Sequence, residues 1–180
     1  MYKRQILYAV QNGAHVINLS WGSSQKSSII ESAIAYATAN GAIVCVSAGN
    51  QNSNIPIFPA GFENDAMISV GASDSQDSKA LFSNFGTWVD VYAPGLDIVT
   101  TYLTNSYVVS GGTSIATAFV SGIAGLIWSL NPELTNLEVE RIILKSTDTL
   151  HSIDETPVAG GRVNARTALS HTLQPAPVTR

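Results

Sequence analysis

Ala42-Ile43-Val44-Cys45-Val46-Ser47 is an unbroken apolar run that stops at a serine. It is too short for a helix and shows no polar alternation, so it reads as a strand covered on both faces, the kind found in parallel sheets. Upstream, Ser28 to Asn40 places Ile29, Ile30, Ala33, Ile34 and Ala37 on one helical face, and Gly41 closes the segment. Before that helix lies a second strand, Val16 to Ser20, preceded by a helix end over Ile6 to Asn12 and by Gly13. Strand, helix and strand make a βαβ unit, which sets the fold class as α/β with parallel strands.

Downstream, short strands are predicted at Ala66 to Val70, Val89 to Tyr92, Ile98 to Tyr102 and Tyr107 to Val109, with Gly, Pro, Asn and Asp between them as turns. Ser114 to Leu130 is apolar nearly all round, the pattern of a central helix buried on every side. Asn131 and Pro132 stop it. Thr135 with Glu138 forms a capping box opening an amphipathic helix through Lys145, and a last helix is expected over Asn164 to His171. The segment from Thr172 to Arg180, with two prolines, is expected to be a disordered tail. Residues 6–171 read as one domain. Met1-Tyr2-Lys3-Arg4-Gln5 resembles a translated transposon adapter, and residues 1–5 are set aside as a non-native start.

Of the 180 residues, 45% are hydrophobic and only 12% charged, which excludes a disordered segment or a coiled coil. The net charge of -4 comes without a basic cluster, so neither nucleic acid nor an anionic membrane is expected as a partner. The one cysteine, Cys45, falls in the apolar run and reads as a buried structural thiol. Ala118 to Trp128 is about half a bilayer span and is interrupted by Ser121, Gly122 and Gly125, against a transmembrane helix. Ile6 to Val10 is too short for the apolar core of a secretory signal.

Two segments carry candidate chemistry. Gly111-Gly112-Thr113-Ser114-Ile115-Ala116 puts Ser114 at the head of the long helix, where unpaired N–H groups and positive potential would favour an oxyanion. A serine there also serves as an ordinary cap, and Ala116 departs from the Gly-x-Ser-x-Gly elbow. Ser47-Ala48-Gly49-Asn50 follows the buried strand, at the carboxyl end where open α/β sheets place ligands, and Asn50 could donate its amide to a developing oxyanion or simply make a turn. Ser20-Trp21-Gly22 ends the neighbouring strand in the equivalent place, so the two strand ends could border one cleft with backbone available to a peptide.

Taken in order, Val16-Ile17-Asn18-Leu19-Ser20-Trp21-Gly22, Ser47-Ala48-Gly49-Asn50 and Gly112-Thr113-Ser114-Ile115-Ala116 resemble the subtilisin-like serine peptidases. Val70-Gly71-Ala72, Phe82-Ser83-Asn84-Phe85-Gly86, Val89 to Gly95 and Gly161-Arg162-Val163-Asn164-Ala165 extend the likeness across Ile6 to Leu169. The resemblance implies a doubly wound, mostly parallel sheet with helices on both faces. It implies a serine endopeptidase acting on polypeptides, with Ser114 as nucleophile and Asn50 with the Ser114 N–H as oxyanion donors. Ser20, Trp21, Gly22, Ser47, Ala48 and Gly49 would then be substrate-binding. The chemistry implied needs no cofactor and no catalytic metal. Structural calcium is common in such proteins, yet no acidic ligand loop of recognisable spacing stands here, and Asp74, Asp77, Asp154 and Glu155 read as solvated loop charges. Ile115 and Ala118 replace the family's usual Met and Pro, with little expected displacement of Ser114.

The resemblance also shows what this chain lacks. The family's order is Asp, His, Ser, so both partners of Ser114 belong upstream of Asn50, where only His15 and Glu31 stand, and neither has the family's flanking sequence. His151 and His171 follow the nucleophile and read as surface residues. The N-terminal portion of the domain, with the triad Asp and His, is therefore expected to be missing and this chain to be inactive alone. Secretion is expected on the same resemblance. The competing expectation is a non-catalytic relative that binds peptides or proteins through the same cleft.

Overall fold

A computed structural model of the chain describes residues 2–150 and 160–173. It opens on helix α1 (Tyr2–Gln11), strand β1 (Val16–Leu19), helix α2 (Ser28–Ala39) and strand β2 (Ile43–Ser47), the expected βαβ unit preceded by a helix. β1 and β2 pair in parallel with Val16 opposite Ile43 and Leu19 opposite Val46. Residues 2–5, expected to be a non-native start, form the first part of α1, and Tyr2 stacks on Trp21 with ring centroids 4.4 Å apart.

Strands β3 (Met67–Ser73) and β4 (Val91–Pro94) add in parallel, and two short strands, β7 (Thr147–Asp148) and β8 (Arg162–Val163), complete a sheet ordered β1-β2-β3-β4-β8-β7 with β7 antiparallel at the edge. Strands β5 (Ile98–Tyr102) and β6 (Ser106–Ser110) form a separate antiparallel hairpin. β3 runs three residues past the expected Val70, because Gly71, Ala72 and Ser73 are buried and pair with Tyr92, Ala93 and Pro94.

β2 shows why the apolar run is unbroken. Val44 and Val46 enter one core with Ile6, Ile17, Leu19, Ile34 and Met67, beneath α1 and α2. Ile43 and Cys45 enter the other with Ile68, Val70 and Val91, beneath helices α3 (Thr113–Leu130), α4 (Asn136–Lys145) and α5 (Ala165–Thr172). A strand sandwiched this way has no polar face to show. The result is the α/β arrangement expected, a mostly parallel sheet with helices on both sides.

The capping box forms as read: the Thr135 side chain accepts the Glu138 N–H and the Glu138 carboxylate accepts the Thr135 N–H. α5 ends at Thr172, so the expected tail is helical at its first residue, while 174–180 fall outside the described residues. His151, Asp154 and Glu155 lie outside them too.

Two expectations need correction. α3, long and apolar enough to cross a bilayer, is not buried on every side. Val120, Ala124 and Ile127 are fully buried on the sheet, whereas Phe119 is 43% and Leu126 49% exposed on the opposite flank. The apolar composition all round therefore exceeds what this chain covers, and an open apolar cavity of about 960 Å³ runs between that flank, the β5–β6 hairpin and residues 162–166. Asp77, read as a solvated charge, instead joins Arg162 and Asp148 in an ion-pair cluster that ties its loop to the β7–β8 edge.

Candidate active site

The site forms where α3 starts against the carboxyl ends of β1 and β2. Ser114 sits in the first turn of α3, after the N-cap Gly112, whose φ of +152° and ψ of 154° lie in a region open in practice only to glycine. A Cβ on Gly112 would also approach Asn50 Nδ2 at 3.4 Å, so the turn brings bare backbone up to the Asn50 amide.

Ser114 is held to the end of β1 by two reciprocal hydrogen bonds. Its Oγ donates to the Ser20 carbonyl at 3.1 Å, and the Ser20 Oγ donates to the Ser114 carbonyl at 2.8 Å. Behind them, Asn18 Nδ2 donates to Ser20 Oγ, and Ser121 Oγ donates to Asn18 Oδ1, a polar seam between β1 and α3.

Asn50 lies just past the end of β2. Its Oδ1 accepts from both the Thr113 N–H and the Thr113 Oγ1, each at 2.9 Å. The oxygen end being committed, the Nδ2 end is left without a partner among the described residues, and the Ser114 N–H likewise has none. Two free donors thus stand beside a serine hydroxyl at the positive end of an eighteen-residue helix with no acidic residue in its first turn. That arrangement suits stabilisation of a negative oxygen generated by attack of Ser114 on a carbonyl.

The two strand-end segments differ in what they offer. Ala48 N–H donates to Val70 O, Ala48 O accepts from Asn84 Nδ2, Gly49 N–H donates to Thr113 Oγ1, and Gly49 O accepts from the Asn84 N–H. With those groups taken and Ser47 buried in β2, the 47–49 segment can act as a wall but not as a pairing edge, which corrects the expectation of two available strand ends. The backbone groups of Trp21 and Gly22 have no partners among the described residues, so this segment alone can pair with an extended peptide. Beside it lies a cavity of about 560 Å³ bordered by Tyr2, Trp21, Gly22, Phe58 and Phe62.

Neither described histidine, His15 or His171, reaches Ser114. His15 precedes β1 at the far end of the strand, edge-on to Trp128 at 5.6 Å, and Trp128 stands fourteen residues along α3 from Ser114, roughly 20 Å at 1.5 Å per residue. His171 shares a hydrogen bond through Nδ1 with Ser146 Oγ. Among the described residues no three His, Cys, Asp or Glu side chains gather as metal ligands. Thr113, quoted within a motif but given no role, proves to be what aims Asn50; its only sequence signal is a hydroxyl-bearing residue next to the helix cap.

The subtilase family model matches residues 1–169. The chain belongs to the subtilase family. It is 41% identical over 166 residues to the thermophilic serine proteinase of Bacillus sp. strain AK1, covering 92% of this chain and 40% of that protein. It is 39% identical to thermitase of Thermoactinomyces vulgaris, covering 92% of this chain and 58% of thermitase. Among solved structures, the prenylagaramide maturation protease PagA aligns at a TM-score of 0.88 and 28% identity over 96% of this chain and 67% of that one. A cold-adapted subtilisin-like serine proteinase aligns at 0.80 and 30% identity, over 88% of this chain and 58% of its own. This subtilase chain therefore spans 40 to 58% of the length of those two sequence relatives.

Proposed function

We propose that this chain carries the nucleophile half of a subtilase serine endopeptidase site. Ser114 Oγ attacks the scissile carbonyl of a polypeptide, its proton passing to a base, while Asn50 Nδ2 and the Ser114 N–H receive the oxyanion. Trp21 and Gly22 pair with the substrate backbone, and Ser47, Ala48 and Gly49 line the pocket wall beside Ser20. The observation that carries the reading is the locked Asn50: its oxygen end is spent on Thr113, so its amide protons face the serine side of the turn.

The base and its carboxylate partner come, on this reading, from a part of the protein preceding these residues. Two features support it. β1 pairs only with β2 among the described residues and leaves its other edge open, and the flank of α3 on which Ile115, Ala118 and Phe119 lie is apolar and uncovered. An upstream strand on β1 and further structure against α3 would close both and bring a base to Ser114. Export from the cell, and any calcium bound for stability, belong to the same reading.

The test joins this chain to the coding sequence that precedes it and measures peptide hydrolysis. The joined protein is expected to hydrolyse a polypeptide substrate and this chain alone to show no turnover. Ser114→Ala should reduce kcat by about 10^6, a factor established on subtilisin, a member of this family. Hydrolysis unchanged by Ser114→Ala would overturn the proposal, and peptide binding without turnover by the joined protein would favour the binding module.

A further inference from the structure

We infer that Asn84 is the positioning residue that holds Asn50 where an oxyanion can meet it, an inference that rests on the reading of Asn50 as oxyanion donor. Asn84 is fully buried and belongs to the Phe82-Ser83-Asn84-Phe85-Gly86 motif, to which the chemistry above gives no task. Its Nδ2 donates to Ala48 O at 2.8 Å and to Gln51 Oε1 at 3.1 Å. Its Oδ1 accepts from Gln51 N–H at 2.9 Å and Ser53 N–H at 3.1 Å. Its own N–H donates to Gly49 O at 2.9 Å. Five hydrogen bonds thus bracket Asn50 on both sides, to residues 48, 49, 51 and 53.

Besides Asn84, Thr113 ties Gly49 and Asn50, and Lys79 Nζ donates to Asn52 Oδ1 at 3.0 Å. β2 ends at Ser47, Gln51 and Asn52 are exposed, and beyond Asn84 the 50–53 backbone is tied by Asn52 N–H to Phe82 O and Phe85 N–H to Ser53 O. The loop is wound tightly round the carboxamide: Gly49 has φ +101°, and a Cβ there would stand 2.6 Å from Asn84 Nδ2. Only a carboxamide supplies two donors and two acceptor sites at one planar end, so neither Asp nor Ser can make all four side-chain bonds. Thr113 fixes the orientation of the Asn50 amide and Asn84 fixes the height of the backbone that bears it. Oxyanion donors act within a few tenths of an ångström, and a misplacement of about 1 Å costs on the order of 10^2 in rate.

The experiment measures kcat and KM for the protein joined to its upstream part, as wild type, Ser114→Ala, Asn50→Ala, Asn84→Ala and the Asn50→Ala, Asn84→Ala double variant. Asn84→Ala should lower kcat by about 10^2 with KM little changed. In the Asn50→Ala background the same substitution should change kcat little, because the donor it positions is already gone. A merely structural role predicts instead that the two losses multiply, and that outcome, or an Asn84→Ala enzyme with wild-type kcat, overturns the inference. Where Asn84→Ala does not fold, Asn84→Asp keeps both accepted bonds, and its loss should likewise vanish in the Asn50→Ala background. Absence of Ser114-dependent hydrolysis in the wild type overturns the underlying reading and this inference with it, whereas Ser114-dependent hydrolysis with multiplicative losses overturns this inference alone.

Discussion

Replacing Thr113 by valine tests the hydrogen-bond account of the site in a case where apolar burial predicts the opposite sign. Thr113 is buried, and valine fits its volume while exchanging the hydroxyl for a methyl. Burial of one more methyl would by itself stabilise the chain by about 0.8 kcal/mol. Against that, the Thr113 Oγ1 accepts the buried Gly49 N–H at 3.1 Å, and leaving such a donor unpaired costs about 1–3 kcal/mol. The lost bond from Oγ1 to Asn50 Oδ1 adds roughly 1 kcal/mol, although that oxygen keeps the Thr113 N–H. The net expectation is a loss of about 1–3 kcal/mol, which at an m-value of about 2 kcal/mol/M lowers the urea midpoint by roughly 0.5–1.5 M. Thr113→Ser keeps the hydroxyl and should fall between the two. Urea unfolding of the three proteins in parallel, at high dilution because of the open α3 flank, reads the order directly. A valine variant as stable as the wild type, or more so, would refute the reasoning.

Cys45 is fully buried, and burial pushes its thiol up to about 12, with a smaller opposing effect from Ser121. Alkylation at pH about 8 should therefore proceed only as fast as the protein unfolds, and a native-state rate matching that of a free thiol would count against this placement. The Thr135 backbone N–H, and secondarily its hydroxyl, hold the Glu138 carboxyl below its usual range. Its contribution to stability is then present above the unfolded carboxylate value of about 4.3 and is lost as pH falls through the lower folded value. Glu138→Gln should flatten that part of the stability profile between about pH 5 and pH 3, measured by unfolding midpoints; an unchanged profile would remove the capping box from the account.

The parts of this fold that a local pattern encodes were legible in the sequence. The β2 run, the α2 stripe and the Thr135–Glu138 box each announce themselves within a dozen residues, and each forms, except that Ile29 at the start of the α2 stripe is exposed. That Ser114 and Asn50 act at one spot was implied by the family resemblance; read locally, a serine at a helix start and an asparagine after a strand are equally an ordinary cap and a turn. Thr113 and Asn84 were not legible as parts of the site, because their roles lie in hydrogen bonds to partners 31 to 64 residues away, and no periodicity records an acceptor. The exposed flank of α3 was misread for a related reason: apolar composition reports the surface a helix is made to bury, not whether the burying partner is present. The split between the Trp21–Gly22 edge and the 47–49 wall depends on which backbone groups are already taken by partners distant in the chain.

The bonds that assemble the site join residues far apart in the chain: Ser20 to Ser114 across 94 positions and Asn50 to Thr113 across 63. Contacts of such separation must overcome the entropy of closing long loops, and they form late and slowly in folding. No local piece of the chain can set the serine beside the Asn50 amide; the two meet only where the start of α3 packs against the ends of β1 and β2. The chemistry is thereby made contingent on completion of the fold, so that a molecule still finding its structure has a serine but no site.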